Sequence, residues 1–168
     1  KYREFGKGAM VAVRSSATKE DGADNSFAGQ YETYLNQTGD WHVLRSIKRV
    51  IASLWTQKIC EYRKSIGDEK IGKMAVLIQR MVPDIVLSGV ASSINLIEQN
   101  FKQAVIQVGA GLGIGIVDDQ VPTDVIIVNK DSGRIVSSEI TWKNKKVIEI
   151  TGGGIELVEV VDSEAGNN

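Results

Sequence analysis

Arg14 ends the apolar run Val11-Ala12-Val13, and Ser15, Ser16 and Thr18 follow it within four residues. An arginine at the end of a core strand is held rigidly, and its planar fork of donors can grip two phosphate oxygens at once. The hydroxyls add short polar contacts, and Gly29, further along the same polar stretch, lets the backbone approach a phosphate and aim an N–H at it. The same residue types also suit an arginine–carboxylate pair beside an ordinary hairpin, and taken alone they leave both readings open. Other chemistries find less support. No glycine-rich turn carries a lysine at the offset that a phosphate-cradling P-loop requires. The segment Gly109 to Gly115 would need a glycine at position 114 to make a dinucleotide fingerprint, but Ile114 stands there and no helical pattern follows. His42 is the single histidine, so neither a histidine metal cluster nor a serine–histidine arrangement is available, and a surface helical histidine is the simpler reading. The single cysteine, Cys60, sits in an apolar helical pattern and reads as a buried structural thiol.

Bulk composition bounds these possibilities. With 168 residues, 42% hydrophobic and 24% charged, the chain suits one domain with one core. Twenty basic residues against 21 acidic ones leave a net charge of −1, so no global field favours nucleic acid or an anionic membrane, and a polyanion would have to be bound locally. Arg45, Lys48, Arg49, Lys58, Arg63 and Lys64 cluster, but a solvated helix face accounts for them more simply. No apolar run reaches the length of a membrane span, and the first ten residues lack a signal-peptide core, so a cytoplasmic location is expected.

The elements that would position Arg14 can be read from periodicity. Met10–Arg14 reads as a strand entering a long loop, and Gln30–Leu35 alternates as a second, half-buried strand. Asp40 is a candidate N-cap for one helix with apolar residues at Val43, Leu44, Ile47, Val50, Ile51, Leu54, Trp55 and Ile59, ended by Gly67. Met74–Val82 and Ile85–Ile94, split by Pro83 and Asp84, look too apolar for one-sided strands and predict two adjacent buried ones. Further strands are expected at Gln103–Val108, Asp124–Val128, Arg134–Thr141, Lys146–Ile150 and Gly154–Val161, with a turn at Asp131-Ser132-Gly133 and a fraying tail from Asp162. The glycines of 109 to 115 must serve backbone conformation or close approach to something. The fold class is α+β: a mainly antiparallel sheet with one long packed helix.

The stretch Val11-Ala-Val-Arg-Ser-Ser-Ala-Thr18, with Glu20, Asp21 and Ser26-Phe-Ala-Gly-Gln-Tyr-Glu-Thr-Tyr-Leu-Asn36, resembles a motif of the nucleotide-binding domain shared by pyruvate phosphate dikinase, phosphoenolpyruvate synthase and rifampicin phosphotransferase. The resemblance continues through Ser53-Leu-Trp55, Tyr62-Arg63, Val76-Leu-Ile-Gln-Arg-Met-Val-Pro83, Ser88-Gly-Val90, Gly111-Leu-Gly113 with Val117, Val121 and Asp124, and Lys130-Asp-Ser-Gly133. It spans about Val11 to Glu139, with the first block the most specific.

This resemblance implies an ATP-grasp lobe, with residues 1–168 forming a single partial domain. By it, Arg14 would contact the transferring phosphates of ATP, and Ser15 and Gly29 would belong to the phosphate loop. Thr33 would face the nucleotide, while Gln79, Met81 and Val82 would lie against the adenine. It further implies magnesium, whose ligands are expected outside this chain together with a phosphate-binding lysine, and a phosphohistidine domain and a pyruvate-binding domain as partners. No nucleic acid and no membrane are expected. An isolated fragment of this kind should be inactive, because phosphoryl transfer rests on positioning and charge neutralisation that an arginine alone does not supply. The sequence departs from the pattern at Ile114, where the family usually has an acidic residue, at Asp118 and Asp119, and at Ser92–Gln99, which replaces a proline-containing turn. A rifampicin phosphotransferase lobe, a non-catalytic nucleotide-binding protein or a small interaction module are the alternatives.

Overall fold

The structure is a computed structural model and describes residues 5–6, 8–18, 31–67 and 72–160. The chain divides into two compact units, Lys1–Pro83 with Ile150–Gly154, and Asp84–Glu149 with Ile155–Asn168.

In the first unit, β1 (Val11–Ala17) runs between β2 (Thr33–Gln37) and β3 (Met74–Arg80), and both pairings are antiparallel. Two β-branched residues on alternate positions explain the central strand, because Val11 and Val13 point to one side and are fully buried there. That side packs on α1 (Asp40–Ala52), whose Val43 and Val50 join Val11 and Val13 in one core, with Tyr34, Ile47, Met74, Val76 and Ile78 around it. A polar contact sits at the edge of this packing, where the Ser46 hydroxyl donates to Gln37 Oε1 at 2.8 Å.

The long helix is present as α1, and its apolar pattern carries on through a 3-10 turn, Ser53–Trp55, into α2 (Gln57–Ser65). Three details differ from the sequence reading. The N-cap is Gly39, with φ 78, and Asp40 lies in the first turn, where its charge favours the helix dipole. Thr56 is extended, with ψ 152, so the chain turns between the two helices. Leu44, Ile51 and Trp55 stand exposed, because the buried stripe runs through Val43, Ser46 and Val50 and is narrower than the apolar one. Arg63 is another correction. It is 8% exposed, and its guanidinium donates to the Leu54 carbonyl at 2.9 Å and to Cys60 Sγ at 3.3 Å. It therefore ties α2 to the preceding turn, while Arg45, Lys48, Arg49, Lys58 and Lys64 stay on the surface.

In the second unit, β4 (Leu87–Ser92), β5 (Gln103–Ala110), β6 (Thr123–Asn129) and β7 (Ile135–Glu139) form an antiparallel sheet in that order, and β8 (Lys145–Glu149) pairs with β9 (Ile155–Glu159). The expectation of two adjacent buried strands across Pro83 does not hold. β3 and β4 belong to different sheets, and both carry exposed residues, among them Leu77, Leu87 and Val90. Apolar composition overstated their burial, because each sheet keeps a face that the described residues leave open.

The glycine segment 109–115 lies between β5 and α3 (Ile114–Val117), a single helical turn that the sequence reading did not anticipate. Its glycines serve close approach to the chain itself. The Leu112 N–H donates to the Val147 carbonyl at 2.8 Å, and Gly111 bridges Val147 in parallel. A Cβ on Gly111, which has φ 78, would land on the Val147 carbonyl oxygen, and one on Gly115 would sit 2.8 Å from Val147 Cγ2. Gly133 ends the predicted turn with φ 67 in open space. Gly111→Ala should therefore cost roughly 3 kcal/mol or more, combining left-handed strain with an unrelieved clash, whereas Gly133→Ala should cost about 1 kcal/mol from the strain alone. Urea unfolding of the two variants checks the difference.

Candidate functional site

The two faces of the β2-β1-β3 sheet differ in kind. Arg14 is paired with Thr33 on one neighbour and Leu77 on the other, so all three project from the same side. Gln79 stands two residues beyond Leu77 and shares that side. Arg14, Thr33, Leu77 and Gln79 are all exposed, on the face opposite the α1 core. The Arg14 Nη1 group donates to Gln79 Oε1 at 3.3 Å. That contact is long and neutral, so it orients the guanidinium without consuming its charge. Among the described residues no carboxylate pairs with Arg14. Of the two readings of this arginine, the carboxylate-paired one finds no partner here. An exposed guanidinium on a rigid central strand, beside a hydroxyl and an amide, can receive a phosphate group.

The remaining predicted positions fall around this face in different ways. Ser15 alternates to the helix-facing side, opposite Val76. Met81 follows the end of β3, is half-buried, and donates its N–H to the Met10 carbonyl at 2.9 Å. Val82 is 67% exposed. Gly29, the rest of the polar loop from 19 to 30, and the tail from 161 lie outside the described residues. His42 is exposed, with Nδ1 3.0 Å from the Thr38 carbonyl, the surface role expected of it. Cys60 is a free thiol of intermediate exposure.

Among the described residues, Tyr34 and Asp124 have displaced protonation equilibria. Burial, and next the Glu32 carboxylate, push the Tyr34 phenol up, while Arg49, 5.7 Å from the ring centroid, works against them. Burial also works to raise Asp124, but hydrogen bonds from Lys143 Nζ at 2.7 Å and the Thr141 N–H at 2.9 Å, with the lysine charge, outweigh it and hold the carboxyl below its ordinary value. Among the described residues no group of three or more His, Cys, Asp or Glu side chains could hold a metal ion. No helix in these residues is long and apolar enough to cross a membrane.

The sequence reading missed Asn36. It is 2% exposed and adopts φ 51, and it ties the end of β2 to two other segments. Its position between an alternating strand and Gln37-Thr38-Gly39 was an available signal, since asparagine tolerates the left-handed region better than other side-chain-bearing residues.

An α+β chain with antiparallel sheets, one long helix and an open face carrying an arginine without a described carboxylate partner fits an ATP-grasp type of nucleotide-binding domain. Residues 1–168 match the family described as pyruvate phosphate dikinase, AMP/ATP-binding domain, and the chain belongs to that family. It is 42% identical over 150 residues to the phosphoenolpyruvate synthase of Aeropyrum pernix, covering 86% of this chain and 18% of that protein. To a probable phosphoenolpyruvate synthase of Methanocaldococcus jannaschii it is 38% identical over 153 residues, or 90% of this chain and 13% of that one. To a rifampicin phosphotransferase of Streptomyces sviceus it is 38% identical over 157 residues, or 92% and 18%. The chain thus spans less than a fifth of the length of these relatives.

Asp124 gives a pH test. Its folded pKa lies below the unfolded one, so its stabilisation is complete above the ordinary carboxylate range and disappears as pH falls through about 4 toward the lowered value. Lys143→Met should cost about 2 to 4 kcal/mol at pH 7. It should also flatten the loss of stability between about pH 5 and 3, as read by unfolding across a pH series.

Proposed function

We propose that this chain supplies the ATP-binding face of a larger phosphotransferase, which moves a phosphoryl group from ATP through a histidine-bearing domain to pyruvate. The observation that carries this reading is the Arg14 guanidinium, exposed on the central strand, oriented by Gln79 and without a described carboxylate partner. Family membership and the names of the phosphoenolpyruvate synthase relatives support the substrate and the reaction.

In this reading Arg14 receives the phosphate tail and spreads its donors over the negative charge that develops during transfer. Thr33 lies directly beside it on β2 and offers a hydroxyl to the same end of the nucleotide. Gly29 would contribute from the segment that follows β1, while Ser15, on the opposite face of the strand from Arg14, has no part in this reading. Gln79 orients the guanidinium, and Met81 and Val82 present apolar surface to the adenine. A magnesium ion would neutralise the phosphates with ligands from other parts of the parent protein, as would the lysine expected of this family. The chain is then one part of an ATP-grasp domain, acting in the cytoplasm alongside phosphohistidine and pyruvate-binding domains. His42 is not the phosphoryl carrier in this account.

A second reading keeps the ATP face and changes the acceptor to rifampicin. The 38% identity to the Streptomyces sviceus enzyme favours it, and assaying pyruvate against rifampicin as acceptor decides between them.

Calorimetric titration with ATP tests the shared core of both readings. Arg14→Ala should weaken ATP binding roughly ten- to hundredfold, the value of one charge-assisted hydrogen bond. Arg14→Lys should fall between, because it keeps the charge and loses the fork. Unchanged ATP affinity in Arg14→Ala would remove the proposal.

A further inference from the structure

Between β1 and β2 the register slips: Val11 pairs with Gln37 but Val13 pairs with Tyr34, so Leu35 and Asn36 together oppose Ala12. This is a β-bulge, and its second residue, Asn36, takes the left-handed conformation at φ 51. A bulge removes a backbone N–H from the ladder. Here the freed Asn36 N–H points to the sulfur of Met81, 2.9 Å away. The side chain then locks the bulge in place: Nδ2 gives its two hydrogens to the Ile150 and Gly154 carbonyls, both at 2.8 Å, while the Asn36 carbonyl accepts from the Gly154 N–H at 3.3 Å.

An apolar side chain would fill this buried position without needing to satisfy an amide. What an apolar residue could not do is hold this strand end in a left-handed turn with its N–H aimed at one thioether. Methionine is unbranched, with three free rotors, and otherwise presents an ill-defined surface. Met81 is already anchored at its backbone by Met10, and the Asn36 N–H fixes the far end of its side chain.

We propose that Asn36 is a positioning residue for base selectivity. By fixing the Met81 sulfur it makes Met81 an apolar wall of preset shape for the purine, against which the extra polar groups of guanine are costlier to bury than the edge of adenine, and so it sets the preference for adenine over guanine nucleotides. The inference rests on the ATP reading above and on Met81 lying at the base.

The test compares binding of ATP, GTP and inorganic tripolyphosphate to the protein and its Asn36→Gly, Met81→Leu and doubly substituted forms. Glycine accepts the left-handed backbone but lacks the amide clamp, and leucine keeps the volume of Met81 but lacks the sulfur acceptor. Asn36→Gly should weaken ATP about tenfold, the value of one to two neutral hydrogen bonds, with tripolyphosphate unchanged and the ATP-to-GTP preference reduced. Met81→Leu, which should fold normally, should lower the same preference, and the double variant should be no worse than the worse single one. A general loss of structure would weaken all three ligands together. Equal loss of ATP and tripolyphosphate in Asn36→Gly, additive effects in the double variant, or an unaltered ATP-to-GTP ratio in Met81→Leu would each overturn the inference. Arg14→Ala serves as the control on the underlying reading. If it weakens ATP while Asn36→Gly does not, only the role of Asn36 falls, and if it leaves ATP untouched, the nucleotide site itself is elsewhere.

Discussion

The alternation of side chains along β1 is the constraint from which the rest of the first unit follows. Val11 and Val13 must be buried, and α1 covers them with its Val43 and Val50. That requirement fixes which way the strand faces, and with a period of two it sends Arg14 to the other side. Core packing and the exposed guanidinium are therefore one decision. A register slip of one residue would bury the arginine and expose both valines. With β2 on one side and β3 on the other, the Arg14 backbone is held between Thr33 and Leu77, and the cost of holding it there is met by hydrophobic burial on the opposite face.

Backbone specialisation supports the two units in different ways. In the second unit the glycines at 111 and 115 let the chain press against Val147 where a Cβ has no room, so this segment is a packing device internal to that unit. In the first unit, beside positive-φ glycines such as Gly39, one special position is not a glycine. Asn36 uses the left-handed region for a different purpose, since its amide satisfies the carbonyls of a turn and its N–H leaves the sheet ladder. The Lys143–Asp124 pair adds a third kind of restraint, a nearly buried charge stabilised by geometry in place of solvent.

Much of this was legible in the residues. Apolar runs located β1 and most strands of the second unit, alternation located β2, and the turn at Asp131-Ser132-Gly133 was visible from residue type alone. What escaped notice has a common physical cause: local pattern records which residues are apolar, but not which partner covers them. The apolar period passes through Thr56 unbroken, so the extended residue that divides the helices leaves no trace in it. Arg63 looked like its basic neighbours because its carbonyl partner at Leu54 lies in the preceding turn. The runs on either side of Pro83 looked like one buried pair because composition does not say that they join separate sheets. Asn36 was hidden for a similar reason, since its partners are 45 and more positions away in sequence.

The central claim is that the open face of this three-stranded sheet is where a nucleotide's phosphates bind. A crystal structure of the protein with a non-hydrolysable ATP analogue tests it most directly. The account predicts phosphate oxygens within about 3 Å of the Arg14 guanidinium, on the side shared with Thr33 and Gln79. A triphosphate bound away from that face, with Arg14 still turned to Gln79 and solvent, would contradict it.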